Sequence, residues 1–342
     1  MTEPTKTQLF PAEWKRHDAC WLAWPHHEDW RAHLERARAE VAILAREIAA
    51  GGERVELLFN TEALRAEAAE ALKGIPHRAH VVRYGDIWLR DTGPIFVFDD
   101  AGQLGASIFV FNGWGEKYIY DGDTSVGGEV ANLAGVEARR HSFVLEGGAI
   151  EVDGEGTCIT TRQCQLSRNR NGDAGEDQVD RWLAEALGAE RVLWLDEGLA
   201  NDHTDGHIDT LVRFVAPGVV VCMEPSGADD PNRDVLLKIR QMLGTMRDAR
   251  GRKLEIMTMP SPGRVEESGE LLPASYANFY IANEAVIVPT YGSRWDDAAL
   301  AALEPLFAGR RVVGASARSI VTGGGAFHCI TQQQPVPPTP RS

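Results

Sequence analysis

An internal repeat is the feature that most constrains how this 342-residue chain can fold. Each copy reads as a strand carrying Asp, Glu, Gly or Asn, then a hairpin turn, a Val/Ile-rich strand, an amphipathic helix and a short strand. Four copies are complete, and their opening strands are predicted at residues 88–98, 145–152, 207–215 and 275–282. Because repeated units bury their apolar faces against one another, the repeat decides how domains are drawn.

A fifth copy is split between the two ends of the chain. Residues 323–331 open a unit that no helix follows, and the N-terminal region supplies a strand at 20–25, a helix over 34–48 and a strand at 55–59. We therefore expect an α/β fold of five pseudo-symmetric units, a five-bladed β/α-propeller closed by pairing of the N- and C-terminal strands. This closure would bring the opening strands to one central place. The alternative is an ordinary α/β sandwich in which the polar residues cap turns.

The domain organisation follows from the repeat. No linker-like stretch divides the chain, so we predict a single domain over residues 9–335. Residues 1–8 and the proline-rich residues 336–342 are predicted to be flexible tails. Within the domain, the helices of the complete copies are predicted near 130–133 and at 177–187, 234–246 and 296–307, the second of them ended by Gly188.

Composition excludes several classes of function. The formal net charge of −15 disfavours binding to nucleic acid, and it favours cationic ligands, although an acidic balance more commonly serves solubility. No apolar run reaches the roughly 18 residues that a membrane helix needs, and no signal peptide is visible at the N-terminus. Five scattered cysteines without an export signal indicate reduced thiols and a cytoplasmic location.

Residues 323–331 carry the strongest candidate for a nucleophile. Gly323, Gly324 and Gly325 allow the backbone to approach a ligand closely, and Cys329 follows them in a predicted short strand. A thiol at the mouth of a glycine loop is where a nucleophile would be placed. The alternative is that Cys329 is a small buried apolar residue, as most free cysteines are. The other thiols lie in strand-like runs and are predicted to be core: Cys20, Cys158, Cys164 and Cys222.

The stretch 202–209 contains two histidines among aspartates. In one interpretation His203 and His207 ligate a divalent metal with their aspartates, but that site needs a ligand from a loop and finds no second His-rich motif. In the other, His207 and Asp209 act with Cys329, because residues two apart in a strand face the same side. The second interpretation requires no metal.

A cluster of carboxylates around a cysteine indicates the kind of substrate. Cys/His hydrolases that act on carbonyl groups need an oxyanion hole, and carboxylates would repel the developing oxyanion. A guanidinium, in contrast, offers forked N–H donors that match carboxylates, so Asp91 and Asp209 are predicted to hold its nitrogens beside the sulfur. The thiolate would attack the central carbon, His207 would protonate the departing ammonia, and the same histidine would activate water to release a ureido product. The chemistry requires no cofactor, and whether the carboxylates or the bound cation control the thiol pKa is left open.

Several motifs then carry a resemblance to a known family. In chain order they are residues 88–94 (WLRDTGP), 146–148 (EGG), 153–157 (DGEGT), 204–209 (TDGHID), 274–280 (ASYANFY), 323–325 (GGG) and 328–333 (HCITQQ). Together the motifs resemble the agmatine deiminases and bacterial peptidylarginine deiminases, which belong to the guanidino-group-modifying superfamily with the pentein fold.

The resemblance implies a role for each matching residue. Cys329 is the nucleophile, His207 the acid and base, and Asp91 and Asp209 the guanidinium clamps. Glu146 is a further catalytic carboxylate, for which the alternative is a turn residue before two glycines. The implied substrate-binding residues are Trp88, whose alternative is core packing, Asn278, Gly324 and Gly325. Neither Arg90 nor His328 is given a catalytic role; both are interpreted as structural.

The sequence therefore predicts hydrolytic deimination of a small guanidine through a covalent Cys thiouronium, with agmatine giving N-carbamoylputrescine as the first substrate. Peptidylarginine or another guanidine is the alternative within this chemistry, and a metal-dependent hydrolase or a non-catalytic polyamine-binding protein is the alternative outside it. The predicted partners are the cationic guanidine and a second copy in a homodimer. Residues 24–30 (WPHHEDW), Thr210 and Ala326 depart from the family pattern, which bears on the far end of the substrate.

Overall fold

The structure is a computed structural model that describes residues 8–338. The predicted tails at 1–7 and 339–342 lie outside the described residues. The remaining tail positions are held by backbone contacts: Gln8 lies in the first strand, paired with Asp99, and the Val336 N–H donates to the Arg16 carbonyl at 2.8 Å.

The described residues form nineteen β-strands. In chain order they are β1 Gln8–Leu9, β2 His17–Ala23, β3 Arg54–Phe59, β4 Arg78–Val81, β5 Ile95–Asp99, β6 Leu104–Val110, β7 Glu137–Val144, β8 Glu151–Val152, β9 Thr157–Thr161, β10 Arg191–Leu195, β11 Val212–Ala216, β12 Val219–Glu224, β13 Glu255–Pro260, β14 Glu266–Glu267, β15 Glu270–Leu271, β16 Tyr280–Ile281, β17 Ala285–Thr290, β18 Arg311–Ser316 and β19 Gln332–Pro335.

Ten α-helices and five short 3-10 helices connect these strands. The α-helices are α1 Leu34–Ala50, α2 Glu62–Ala68, α3 Leu89–Thr92, α4 Gly113–Glu116, α5 Asp123–Ala134, α6 Arg162–Gln165, α7 Arg168–Asn171, α8 Glu176–Leu187, α9 Arg233–Leu243 and α10 Asp296–Leu303. The 3-10 helices are Glu28–His33, Gly147–Ala149, Ile208–Thr210, Glu304–Leu306 and Ile320–Gly323.

Five sheets share one pattern of strands. In each sheet a central strand pairs antiparallel with an opening strand and parallel with a strand that follows a helix. The orders are β5-β6-β7 with β1 added, β8-β9-β10, β11-β12-β13, β16-β17-β18 and β19-β2-β3 with β4 added; β14 and β15 form a separate ribbon. The repeat expected from the sequence is present, including its split fifth copy.

The C-terminal strand completes the N-terminal sheet, as predicted. Gln332 and Gln333 of β19 lie opposite Trp21 and Cys20 of β2, and the Trp21 indole N–H donates to Gln334 Oε1 at 3.0 Å. The glycine loop and the turn before β19 are therefore fixed against the first sheet.

Apolar side chains of the central strands and helices form the core. Val41, Leu44 and Ile48 on α1 are fully buried, and so is Val286 on β17. Each such side chain contributes roughly 1.5–3 kcal/mol through its burial. The helix α8 ends at Gly188, whose φ of 73° allows the left-handed C-terminal turn predicted from the sequence.

The opening segments of the sheets begin as turns rather than as strands, which corrects the start of the strands predicted at 88–98, 145–152, 207–215 and 275–282 and the whole strand predicted at 323–331. Each begins with a helical, 3-10 or hydrogen-bonded turn, and the strand starts several residues later. Polar and apolar residues are both buried in these segments, so their pattern does not distinguish a strand from a helical turn.

Side-chain capture of backbone N–H groups favours one of these turns. The Asn278 Oδ1 accepts hydrogen bonds from the N–H groups of Ala326, His328 and Cys329 at 3.1, 3.0 and 3.2 Å. These N–H groups are then unavailable to a strand partner, so the residues before β19 form a turn. Cys329 is therefore presented on a turn rather than in the predicted strand.

Two further differences are smaller. The strand β13 was not predicted, and α5 extends well beyond the predicted 130–133; its N-terminal half is rich in glycine and polar residues, which do not indicate a helix. No helix within residues 8–338 has both the length and the apolar character needed to cross a membrane.

Candidate active site

The opening turns bring the predicted catalytic residues together around Gly148. A methyl group added to Gly148 would lie 2.7 Å from His207 Nδ1 and 3.0 Å from both Asp209 Oδ2 and Asp91 Oδ1. The three side chains come from two opening turns, that of Asp91 and that of His207 and Asp209, and they meet because position 148 has no side chain. His207 and Asp209 converge although Ile208–Thr210 is a 3-10 helix, so the same-face argument based on a strand was wrong in its premise.

Cys329 lies at the border of a cavity, with its sulfur between two polar partners. Its Sγ is 3.5 Å from Asp209 Oδ2, to which the thiol donates, and it accepts from Asn278 Nδ2 at 3.1 Å. Burial raises the pKa of Cys329 well above its ordinary value, and the negative charges of Asp209 and Asp91 raise it further. Burial and the two carboxylates therefore favour the neutral thiol form of Cys329.

Asp91 is held by two N–H donors. Its Oδ1 accepts from the Gly148 backbone at 2.9 Å and its Oδ2 from the Trp114 indole at 2.8 Å. Burial raises the pKa of Asp91, and the charges of Asp209 and Glu146 add to this effect, while His207 opposes it. A cation placed beside Asp91 would relieve this accumulation of negative charge.

His207 lies between two carboxylates without a hydrogen bond to either. Its Nδ1 is 3.8 Å from Asp91 Oδ2 and its Nε2 is 3.8 Å from Glu146 Oε2. Neither ring nitrogen has a hydrogen-bond partner within the described residues. Burial alone would lower the pKa of His207, but Asp91, Cys164 and Glu146 together raise it well above its ordinary value. The resting site thus pairs an imidazolium with a neutral thiol.

Glu146 is joined to a buried arginine. Arg170 Nε donates to its two carboxylate oxygens at 2.9 and 3.0 Å. Burial would raise the pKa of Glu146, but His207 and Arg170 outweigh it and leave the pKa lowered. Glu146, Cys164 and His207 lie close enough to ligate a metal ion, yet the adjacent guanidinium of Arg170 disfavours a cation there. His203, from the metal interpretation, lies instead at the cavity wall.

The carboxylate of Asp209 is fully buried, and one of its two oxygens is hydrogen-bonded to a histidine. Its Oδ2 accepts from His328 Nδ1 at 2.7 Å, whereas Oδ1 has no partner among residues 8–338. Burial would raise the pKa of Asp209, but His328, His207 and Arg213 lower it. Asp209 is therefore an ionised carboxylate with a free oxygen.

A cavity of about 240 Å³ leads to Cys329 and Asp91. Its walls are mainly aromatic and acidic: Trp30, Trp88, Trp114, Tyr118, Tyr120, Asp29 and Asp86. Of the residues that the structure describes, no lysine or arginine borders it. An aromatic, acidic cavity of this kind suits an elongated cation.

The glycine loop forms bare backbone along the cavity. Gly324 has φ of 107°, and a methyl group there would lie 3.0 Å from His203 Nδ1. A methyl group on Gly325 would lie 2.9 Å from Cys329 Sγ and 2.8 Å from the Trp88 ring. Both glycines border the cavity, as does Trp88. Asn278 does not border it, and its amide holds the turn that carries Cys329.

Asp86, Trp30 and Trp114 are cavity residues that the sequence analysis missed. Asp86 accepts from the indole N–H groups of Trp30 and Trp88 at 2.9 and 3.0 Å, and burial raises its pKa. Trp30 falls in the segment 24–30 that departs from the family pattern, and this departure was the one available signal. Trp114 is in α4, a short segment that was not predicted, where its φ of 54° departs from helical geometry and is rare for a side-chained residue.

The fold and the site define an α/β protein in which repeated sheets bring a cysteine, a histidine and several carboxylates to one buried point. The chain belongs to the Porphyromonas-type peptidyl-arginine deiminase family, whose model matches residues 9–335. This confirms the resemblance stated from the motifs.

Named relatives are similar over nearly their whole length. The agmatine deiminase of Stutzerimonas stutzeri (strain A1501) is 38% identical over 352 residues, covering 96% of this chain and 95% of that protein. Among solved structures, the agmatine deiminase of Enterococcus faecalis superimposes with a TM-score of 0.90 at 30% identity, covering 96% of each chain. A C. jejuni agmatine deiminase with substrate bound gives 0.88 at 27% identity, again covering 96% of each chain.

Proposed function

We propose that this protein is a hydrolase of C–N bonds that converts agmatine and water to N-carbamoylputrescine and ammonia. The observation that carries the proposal is the position of Cys329 and Asp91 on a cavity that no described lysine or arginine borders, with the buried carboxylate of Asp209 3.5 Å from the Cys329 Sγ. The similarity to agmatine deiminases supports the same activity. A guanidinium would satisfy the free Oδ1 of Asp209 and relieve the charge repulsion around Asp91.

Binding of the cation would activate the nucleophile. The positive charge of the guanidinium lowers the pKa of Cys329, which burial and the carboxylates raise, so the S–H proton passes to solvent water, where it later converts the departed ammonia to ammonium, and the thiolate adds to the guanidinium carbon. The resulting tetrahedral adduct is neutral. His207, as imidazolium, then donates a proton to one amino group, the C–N bond breaks, and ammonia departs, leaving a cationic S-alkylthiouronium and a neutral imidazole.

The second half reverses the role of His207. The neutral imidazole takes a proton from water while the oxygen adds to the thiouronium carbon. Collapse of this adduct breaks the C–S bond, and loss of the hydroxyl proton gives the ureido product and regenerates the cysteine. The balance is one guanidinium and one water consumed for one urea and one ammonium. No cofactor enters any step.

The cavity walls favour agmatine over arginine. Free arginine carries a carboxylate, and no described lysine or arginine of the cavity could pair with it. Asp86 instead supplies a buried negative charge, so a primary ammonium at the far end of a short alkyl chain has a partner. A peptide would present neutral amides to Asp86 and leave that charge uncompensated.

We also propose that the five sheets are the blades of a five-bladed propeller within one domain spanning 9–335. Two observations support this: each sheet contributes an opening turn to the same site, and β19 pairs with β2 so that the fifth sheet joins both ends of the chain. The polar opening turns would then surround the axis.

The proposal is tested by ammonia release and product identification with agmatine. Cys329→Ala should abolish turnover, because no other group supplies the nucleophile, whereas Cys222→Ala, a buried thiol in β12, should leave it nearly intact. Activity that disappears on chelation and returns with a divalent metal would favour a metal-dependent hydrolase. Agmatine binding without turnover in the wild type would favour a polyamine-binding protein.

Substrate choice is tested with Asp86→Asn. The Michaelis constant for agmatine should rise by about tenfold, since a partly buried charge pair is worth about 1–2 kcal/mol, while kcat/KM for methylguanidine, which lacks the ammonium, should change little. Equal losses for both substrates would remove Asp86 from ammonium binding. Higher kcat/KM for a peptidylarginine than for agmatine in the wild type would overturn the substrate assignment.

A further inference from the structure

A line of buried, alternately charged side chains lies behind Asp209. His328 Nδ1 is 2.7 Å from Asp209 Oδ2, and its Nε2 is 2.8 Å from Glu13 Oε2. The same Glu13 oxygen accepts from Arg213 Nη2 at 2.6 Å, and Arg213 Nε donates to Glu151 at 2.9 Å. Glu13 and His328 are 6% and 2% exposed, so water does not screen this line.

The hydrogen bonds place a carboxylate against each ring nitrogen of His328. An ionised carboxylate only accepts hydrogen bonds, so a ring nitrogen placed against one must carry a proton. Burial would raise the pKa of Glu13, but Arg213 and His328 lower it well below its ordinary value. The pKa of Asp209 is also lowered. Each ring nitrogen of His328 therefore faces a carboxylate oxygen, and the geometry allows the ring to donate to both.

We propose that His328 and Glu13 are positioning residues for guanidinium binding, in which Glu13 fixes the His328 ring and the ring holds Asp209 Oδ2 so that Oδ1 faces the substrate. The inference rests on the proposed function, since the guanidinium is its ligand. Neither residue touches the reacting atoms. Glu13 additionally ties the segment before β2 to this site, because its Oε1 accepts from the Ile281 N–H at 2.8 Å.

The other charged groups near this line do not replace His328. Asp209 also faces Cys329 at 3.5 Å, with Asp91 and His207 around Gly148. Arg90 contacts His328 only through the His328 carbonyl, at 3.2 Å, and its Nη2 is 4.0 Å from Glu13. Among residues 8–338, His328 is thus the one cationic side chain hydrogen-bonded to Asp209.

The first test is the pH profile of kcat/KM for agmatine in His328→Gln. Glutamine retains a donor but carries no charge, so the carboxylate of Asp209 should become protonated at a higher pH than in the wild type. Burial already raises the pKa of Asp91, so both carboxylates would then be protonated at higher pH than ordinary aspartates. We expect the acid limb to move up by about 1–2 pH units and to steepen, with KM rising about 10- to 100-fold below the limb and little change at pH 8. His17→Gln is the control, because His17 lies in a similar buried pair, 3.2 Å from Glu53, that contacts neither Asp209 nor the cavity.

An acid limb of His328→Gln at the wild-type position, or a loss confined to kcat at all pH values, would overturn the proposal. Glu13→Gln should give a smaller rise in KM in the same direction, since its amide oxygen still accepts from Nε2, and it remains informative where His328→Gln does not fold. If Glu13→Gln raised KM no more than His17→Gln does, the proposal that Glu13 positions the His328 ring would be contradicted.

A measurement on the wild type separates this inference from the proposed function. Nitrogen NMR of labelled histidines should show both ring nitrogens of His328 protonated at pH 7, with the resonance assigned by its absence in His328→Gln, or by the effect of Glu13→Gln. A neutral His328 in an enzyme that turns over agmatine would contradict this inference and leave the proposed function intact. A doubly protonated ring in a protein without activity toward any guanidine would contradict the proposed function, and with it the role of His328 in guanidinium binding, and would leave only its contacts with Asp209 and Glu13 standing.

Discussion

Two buried histidines, His207 and His328, each lie between a pair of carboxylates, and distance distinguishes them. His328 is 2.7 and 2.8 Å from its two partners, whereas His207 is 3.8 Å from each of its own. The first pair of distances describes two strong hydrogen bonds, and the second describes electrostatic attraction without a hydrogen bond.

This difference in distance distinguishes His328, which positions a carboxylate, from His207, which acts as acid and base. The protons of His328 are committed to fixed carboxylates, and a change at that ring would break two bonds at once. His207 keeps its charge through Asp91 and Glu146 but has no bonded partner among the described residues, so its N–H groups remain available to a departing nitrogen or an entering water. The site thus uses the same residue types for two purposes and selects between them by about 1 Å.

Replacement of the unbonded histidine should have the largest effect. His207→Gln removes the proton donor for ammonia and the base for water, so kcat should fall by about 10²–10⁴-fold while KM stays within about threefold. Steady-state ammonia release measures both. His141→Gln, at a half-buried histidine stacked on Phe109 away from the cavity, should retain wild-type kcat. A kcat for His207→Gln within tenfold of the wild type would contradict the role of His207 as the acid and base.

Removal of one attracting carboxylate should have an intermediate effect. Glu146→Gln takes away a charge that raises the pKa of His207, so the alkaline limb of kcat should move to lower pH and kcat at pH 8 should fall by about tenfold. Arg170 would also lose a buried partner, which costs about 3 kcal/mol in urea unfolding.

The exposed ion pair between Arg139 and Glu185, at 3.1 Å, supplies the matched control for Glu146→Gln. Glu185→Gln should change stability by no more than about 0.5 kcal/mol and leave the pH profile alone. An unshifted alkaline limb in Glu146→Gln would show that Glu146 does not hold the charge of His207.

The pH dependence of stability should show the smallest effect. The pKa of His207 is raised in the folded state, so its stabilising contribution is complete below the pKa of an unfolded histidine and is lost as pH rises through the folded value. Urea unfolding of the wild type should therefore lose on the order of 1–3 kcal/mol more than His207→Gln between pH 6 and pH 10. Parallel pH dependences would indicate that His207 is not charged in the folded protein.

Much of the fold was predictable because the repeat is written in local patterns. The strand β3, the helix α1 and the end of α8 at Gly188 match their predicted positions, since apolar runs, helical spacing and a C-terminal glycine are local signals. The opening turns were not predictable, because the spacing of polar and apolar residues in a run such as 207–211 fits a strand as well as a turn, and both kinds of residue are buried. Their N–H groups pair with side chains distant in sequence, as with Asn278.

The site shows the same division. Cys329, His207, Asp91 and Asp209 could be proposed from residue type and motif order, and the structure brings them together. Glu13 could not, because it lies more than 300 residues from His328 and no local pattern links an N-terminal glutamate to a C-terminal turn. His328 was interpreted as structural, since its contact with Asp209 depends on a turn where a strand was expected.

The central claim is that Cys329 bonds covalently to the guanidinium carbon while the unbonded His207 moves the proton. Rapid acid quenching of the wild type during turnover of agmatine, followed by peptide mass spectrometry, tests it most directly. The account predicts an S-alkylthiouronium adduct on the peptide that carries Cys329, formed before ureido product and absent from Cys329→Ala. Ureido product released while that peptide remains unmodified, or an adduct on Cys164, would contradict it.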